Sequence, residues 1–222
     1  MRMRRIGLGM GLAMLAIGAA RADAPPVLFP GHDAAVTYRA ERDGGPSDQP
    51  RSGQFTIVWN AELQRLRFSS PGMPGFAIVD FRTRHMMMVM SAQHIVMDLP
   101  MNVPVRPGPV RVPPGGHIER VGSATVAGQG CTLWHMTSPK GSGTACITAD
   151  GIPLRMQGDG AGPNGAQRGM MEAISVQRGP EPESLFTAPA GYRHMDLSHM
   201  GGQPGAPLGA PPGAPPGASP GH

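Results

Sequence analysis

The stretch FAIVDFRTRHMMMVMSAQHIVMDL, residues 76–99, decides the fold. It contains no Gly and no Pro, and its methionines favour helix by intrinsic propensity. Yet the run Met86-Met87-Met88-Val89-Met90 is apolar on every side and shows no 3.6-residue period. The reading is three strands, Phe76 to Phe81, Arg84 to Met90 and His94 to Leu99, the last two around a Ser91-Ala92-Gln93 turn. One long helix across 76–99 is the alternative.

Working outward, short alternating segments recur on both sides. Ala34 to Glu41 reads as a strand. Phe55 to Trp59 and Leu63 to Phe68 form a hairpin around Asn60-Ala61-Glu62. Asn102 to Gly116 is a Pro/Gly-rich loop, Ile118 to Ala127 resumes strand character, and Met171 to Arg178 alternates again. The 33 glycines and 26 prolines of this 222-residue chain disfavour a helical bundle. Hydrophobic residues at 40% suffice for a core. The expected fold class is all-β or mainly β.

The ends differ from the middle. Met1 to Arg5 is basic, Ile6 to Ala19 is apolar but too short to span a bilayer, and Ala20-Arg21-Ala22 has the small residues of a cleavage site. A signal peptide over 1–22, cut after Ala22, is expected. The formal charge of +4 then disappears, because Arg2, Arg4, Arg5 and Arg21 lie in that leader. Nucleic-acid binding loses its support, and no transmembrane anchor is expected. Fourteen of residues 201–222 are Gly or Pro, so 199–222 reads as a disordered tail. The domain is placed at 23–198 and the protein in the periplasm or outside the cell.

Cys131 and Cys146 are the two cysteines. In an oxidising compartment they are expected to join, which the chain-entropy model values at about 3 kcal/mol for such a loop. Two free thiols are the alternative. Turns at Ser138-Pro139-Lys140-Gly141 and at Asp150-Gly151 define two hairpins around them. Counting outward from the second pairs Ile147 with Leu154, Cys146 with Arg155, Ala145 with Met156 and Thr148 with Pro153. Alternation then sorts Cys131, Leu133, His135, Cys146 and Arg155 to one face, stapled by the disulfide. Trp134, Met136, Ala145, Ile147, Leu154 and Met156 share the other, which is the expected core or cavity face.

Several strands are apolar on both faces, whereas an antiparallel sheet usually leaves one face wet. With almost no amphipathic helix to cover it, the sheet is expected to curl and leave an apolar concavity. The residues expected to line it are Phe55, Ile57, Trp59, Met86, Met88, Met90, Trp134, Met136, Ile147, Leu154 and Met156.

A set of motifs points the same way. Tyr38-Arg39-Ala40 opens the first strand, FTIVW and LQRLRFSS follow, and Asp80 precedes a Met-rich strand. AGQGCTLWHM then leads to GTACITADGIPLRM, and SLFTAPAGYRHMDL closes the set. Over roughly residues 34–197 the chain resembles an uncharacterised family of exported bacterial domains, itself similar to the LolA/LolB-like superfamily of periplasmic lipoprotein carriers. The resemblance implies an unclosed β-barrel of about ten or eleven antiparallel strands with an apolar concave face. In characterised relatives that face holds acyl chains.

The function so implied is an exported, non-catalytic binding protein for a lipid, an acyl chain or another hydrophobic molecule, or for a lipidated or envelope protein. No cofactor is implied. No GxSxG on a strand–helix turn, no HExxH and no P-loop is present, so no catalytic residue is assigned. The alternative is periplasmic copper binding, because thioether and imidazole ligands suit Cu(I). Its candidate ligands are His194, Met195, His199 and Met200. Further His/Met groupings occur at His85 with Met86, Met88 and Met90, and at His94 with Met97 and Met101.

Overall fold

The computed structural model describes residues 24–43, 51–101, 106–162 and 165–197. The expected signal peptide, the Pro/Gly tail and the candidate ligands His199 and Met200 lie outside them.

The strands are Val27–Leu28 (β1), Ala34–Asp43 (β2), Arg51–Asn60 (β3), Arg65–Ser69 (β4), Gly75–Asp80 (β5), His85–Met90 (β6), Ile95–Pro100 (β7), Gly108–Pro109 (β8), His117–Val126 (β9), Gln129–Ser138 (β10), Gly141–Ile147 (β11), Pro153–Gly162 (β12), Gly165–Arg178 (β13) and Arg193–Asp196 (β14). Twelve of them make one curved, unclosed sheet in the order β14-β7-β6-β5-β4-β3-β2-β13-β12-β11-β10-β9. β1 and β8 pair as a separate two-stranded ribbon. Residues 76–99 are strands, as read from the absent 3.6 period.

Three turns of the β3–β7 meander end on a residue with positive φ: Gln64 at 51°, Arg84 at 59° and His94 at 52°. Each stands just before the next strand, so the β3–β4 turn runs past Asn60-Ala61-Glu62 to Gln64, and Arg84 and His94 belong to turns instead of opening their strands.

Three features depart from the sequence-based expectation. The main sheet has twelve strands rather than ten or eleven, and its edge strand β14 runs parallel to β7. The glycine-rich residues 157–162 and 165–169, to which the sequence reading gave no element, form the long β12–β13 hairpin. Close approach of β12 to β11 requires glycine on both strands. A Cβ on Gly143 would stand 2.7 Å from the Gln157 carbonyl oxygen, and one on Gly158 the same distance from that of Ser142. Finally, a bulge between Cys146 and Ile147 shifts the register by one residue. Cys146 faces Arg155 and Ala145 faces Met156 as expected, but Ile147 faces Pro153, not Leu154. The turn is responsible. It is three residues long, closed by the Ile152 N–H donating to Thr148 Oγ1 at 2.8 Å and by Gly151 at φ 94°.

Cys131 and Cys146 are disulfide-bonded. They do not staple an outlying face. Both are buried, in one cluster with Tyr38, Ile152, Leu154 and Ala173. The bulge explains why Leu154 is packed with the cystine and not with Trp134. Trp134, Ala145 and Ile147 form a second cluster under Leu28 of the ribbon, with Ile118 and Met136 against it.

Candidate apolar trough

Register fixes which side chains share a face, because side chains alternate across a strand. Between β2 and β7 no bulge interrupts the ladders. One cross-strand row runs Val36, Ile57, Phe68, Ala77, Met88, Met97. The next runs Ala34, Trp59, Leu66, Val79, Met86, Leu99. Met90 and Ile95 pair on the same face. Toward β10 the row Ala40, Met171, Met156, Ala145, Trp134 continues it.

Phe55, Ile57, Trp59, Met86, Met88, Met90, Trp134, Met136 and Met156 therefore lie on one face of the sheet, and Ile147 alternates onto it along β11. Leu154, at the bulge, is fully buried in the cystine cluster, against which Phe55, Ile57 and Met171 also pack. Sequence reading missed Leu66, Phe68, Ile95, Met97, Leu99 and Met171 on the same face. The alternation of Ile95, Met97 and Leu99 within IVMDL was the available signal.

The opposite face of β5–β7 is sealed. Phe76, Ile78, Val89 and Val96 form a buried cluster, the last three with no exposure at all, and Ala188 and Tyr192 lie against it. The cover is not a helix. It is the irregular segment after β13, with one 3-10 turn at Glu183–Phe186 whose Phe186 is fully buried. Two arginines hold it down. Arg67 donates to the Leu185 carbonyl at 3.0 Å and stacks 3.5 Å over the Phe76 ring. Arg65 donates to the Phe186 carbonyl at 3.3 Å and pairs with Asp80 at 2.9 Å. Burial pushes the Arg67 guanidinium below its ordinary range. At Asp80 burial acts upward, but the Thr83 backbone N–H and Arg65 outweigh it and hold the carboxyl below the usual range. Asp80 is thus a structural anchor.

The methionine face has no such seal. Met86, Met88, Met90, Ile95, Met97 and Leu99 are all half-buried. Farther along, an open hollow of about 510 Å³ is lined by Ala40, Phe55, Met136, Met156, Met170 and Met171 on its apolar side and by Glu41, Arg42, Thr144 and Gln157 on its polar side. Phe55 joins this hollow to the methionine rows, since its ring stands 5.2 Å from that of Phe68. The remaining expected residues are already occupied by the chain itself. Phe29 stacks on Trp59 at 4.8 Å and on Phe81 at 5.2 Å, and Trp59 Nε1 donates to the Pro30 carbonyl at 2.8 Å. Leu28 covers Trp134 and Ile147. The ribbon and its exit therefore fill one end of the trough.

That filled end is pinned by charge. Asp150 accepts from Arg178 Nε at 2.7 Å and lies 3.0 Å from His32 Nε2. Hydrogen bonding from Arg178 outweighs partial burial and drives the Asp150 carboxyl well below the usual range. Asp33 ties three segments together, accepting from the backbone N–H of Ala61 and Glu181 and from Asn60 Nδ2.

No protein-family model and no curated protein matches this chain. Solved structures do. An uncharacterized conserved protein from Thermus thermophilus aligns over 75% of this chain and 91% of its own, with TM-score 0.51 and 12% identity. The Pseudomonas aeruginosa MucA/MucB complex aligns over 72% of this chain and 56% of its own, with TM-score 0.48 and 18% identity. A LolA superfamily protein from Nitrosomonas europaea aligns over 72% and 92%, with TM-score 0.40 and 8% identity. The chain shares with the Thermus thermophilus protein a fold built on one large curved, unclosed β-sheet. At these identities the likeness speaks for the fold alone.

Of the candidate copper ligands, the two that lie among the described residues, His194 and Met195, take opposite faces of β14. His194 pairs with Asp98 at 3.2 Å. Met195 alternates to the other face of β14, in register with Met97. Among the described residues no cluster of three or more His, Cys, Asp or Glu could hold a metal ion, and no helix is long and apolar enough to cross a membrane.

Proposed function

We propose that this is an exported, non-catalytic binding protein whose methionine-lined trough takes a lipid acyl chain or a comparable apolar molecule. The carrying observation is the inequality of the two faces of β5–β7. One is sealed by the segment after β13, whose Ala188 and Tyr192 pack on it, while the other presents six half-buried apolar side chains. Full burial of such a side chain contributes about 1.5–3 kcal/mol. Completing the burial of Met86, Met88, Met90 and Met97 offers a guest on the order of 3–6 kcal/mol before association costs. Methionine suits this role because its unbranched thioether adapts to guests of differing shape. The buried disulfide and the leader-like N-terminus support placement outside the cytoplasm.

Native mass spectrometry of protein recovered from a bacterial periplasm tests the reading. A co-purifying apolar ligand, lost in the Met88→Glu/Met97→Glu variant, is expected. Apo protein that also fails to bind any apolar fluorophore would overturn it.

A further inference from the structure

We propose that Met88, Met97 and Met195 form a thioether site for a soft monovalent cation, Cu(I), at the β14 edge of the sheet. Met88 faces Met97 across β6–β7, and Met97 faces Met195 across β7–β14, so three methionines stand in one cross-strand row on one face. Neighbouring strands are about 4.8 Å apart and facing Cβ atoms about 5 Å. Three side chains with three rotatable bonds each can bring their sulfurs onto one ion across that span. Ile95 and Leu99, two residues either side of Met97, supply an apolar surround.

The position of Met195 is set by backbone, not chance. The Arg193 N–H donates to the His94 carbonyl and the Leu197 N–H to that of Asp98, both at 2.9 Å, fixing β14 on β7. Met195 is 39% exposed, so the row opens to solvent at this end. The donor set selects the ion. The imidazoles of His85 and His194 alternate onto the other face of β6 and β14, and His194 is engaged with Asp98. A set of neutral thioethers without nitrogen or carboxylate suits Cu(I) and not Zn(II) or Mg(II). This site differs from the His194/Met195/His199/Met200 grouping suggested by the sequence, and it does not require an apolar guest.

The test is anaerobic titration of the full chain with Cu(I), maintained by ascorbate, against a chromophoric Cu(I) chelator, with Ag(I) in parallel. One equivalent should be held. Met→Leu changes conserve volume, so the Met88→Leu, Met97→Leu and Met195→Leu variants should fold, as a thermal melt will verify. Even an outer partner of a metal ligand is worth 10–100-fold in affinity, so losing a ligand should weaken binding by about tenfold or more. A His199→Ala/Met200→Leu variant should bind as the parent does. The proposal is overturned if the parent holds no Cu(I), if the triple Leu variant binds equally well, or if the His199/Met200 variant alone loses the ion.

Discussion

Replacing Phe186 by Ala tests the division between a sealed and an open face. Phe186 has no exposed surface. Its turn is held over β4 by carbonyl contacts from Arg65 and Arg67, so the backbone should stay in place and leave a cavity instead of collapsing. Phe→Ala changes in such settings cost about 3–5 kcal/mol. That is a large fraction of a typical domain stability of about 5–15 kcal/mol. For a domain of this size each kcal/mol lowers Tm by about 2–4 °C, giving a fall of roughly 6–20 °C. The assay is thermal and urea unfolding of the oxidised full chain, with coincident transitions checked by two probes. Below its Tm the variant should still bind an apolar fluorophore, because the trough lies on the other face. Met88→Glu should show the converse, with binding lost and Tm little changed. A Phe186→Ala variant within 1 kcal/mol of the parent would refute the sealed-face argument.

Three further outcomes are expected. Replacing both cysteines by Ala should cost about 3 kcal/mol from loop closure, more if the buried site is left loose, read as a lower urea midpoint; an unchanged midpoint would contradict it. Asp150 has a depressed folded pKa, so its stabilisation is present above its unfolded value near pH 4 and lost as pH falls through the folded value. An Arg178→Leu variant should therefore be less stable than the parent at pH 7, with the gap closing in acid; a gap that widens on acidification would contradict the pairing. A Cβ at Gly75 would stand 1.6 Å from the Val89 carbonyl oxygen, whereas one at Gly53 meets nothing within 4 Å. Gly75→Ala should cost at least about 1–3 kcal/mol in denaturant melts and Gly53→Ala well under that.

Much of the architecture was readable because alternation and turn chemistry are local. The missing 3.6 period in Met86–Met90, the turns at Ser91–Gln93 and Ser138–Gly141, and the two cysteines sufficed for strands, hairpins and disulfide. Ten of the eleven proposed lining residues share a face for the same reason: a two-residue period fixes sidedness wherever no bulge intervenes. The pairing of Ile147 with Pro153 instead of Leu154 was not readable, because a bulge depends on the three-dimensional fit of the Thr148–Ile152 turn. The seal over β5–β7 was hidden because Phe186 and Tyr192 sit in irregular, proline-flanked chain with no periodicity to read. The β12–β13 hairpin was hidden because glycine usually weakens strands, whereas the close approach of β11 and β12 requires it. Nothing local to Trp134 or Trp59 tells that Leu28 and Phe29 return from the N-terminal side to cover them.

The most direct measurement uses the methionine methyl groups. In a sample carrying 13C-methyl methionine, a medium-chain fatty acid is titrated in and methyl resonances are followed by NMR. Binding in the trough should shift Met86, Met88, Met90 and Met97 together. Met87, which faces the sealed cluster of Ile78 and Val89, should stay in place. Saturating ligand with those four resonances unmoved, or with Met87 shifting as far as they do, would contradict the account.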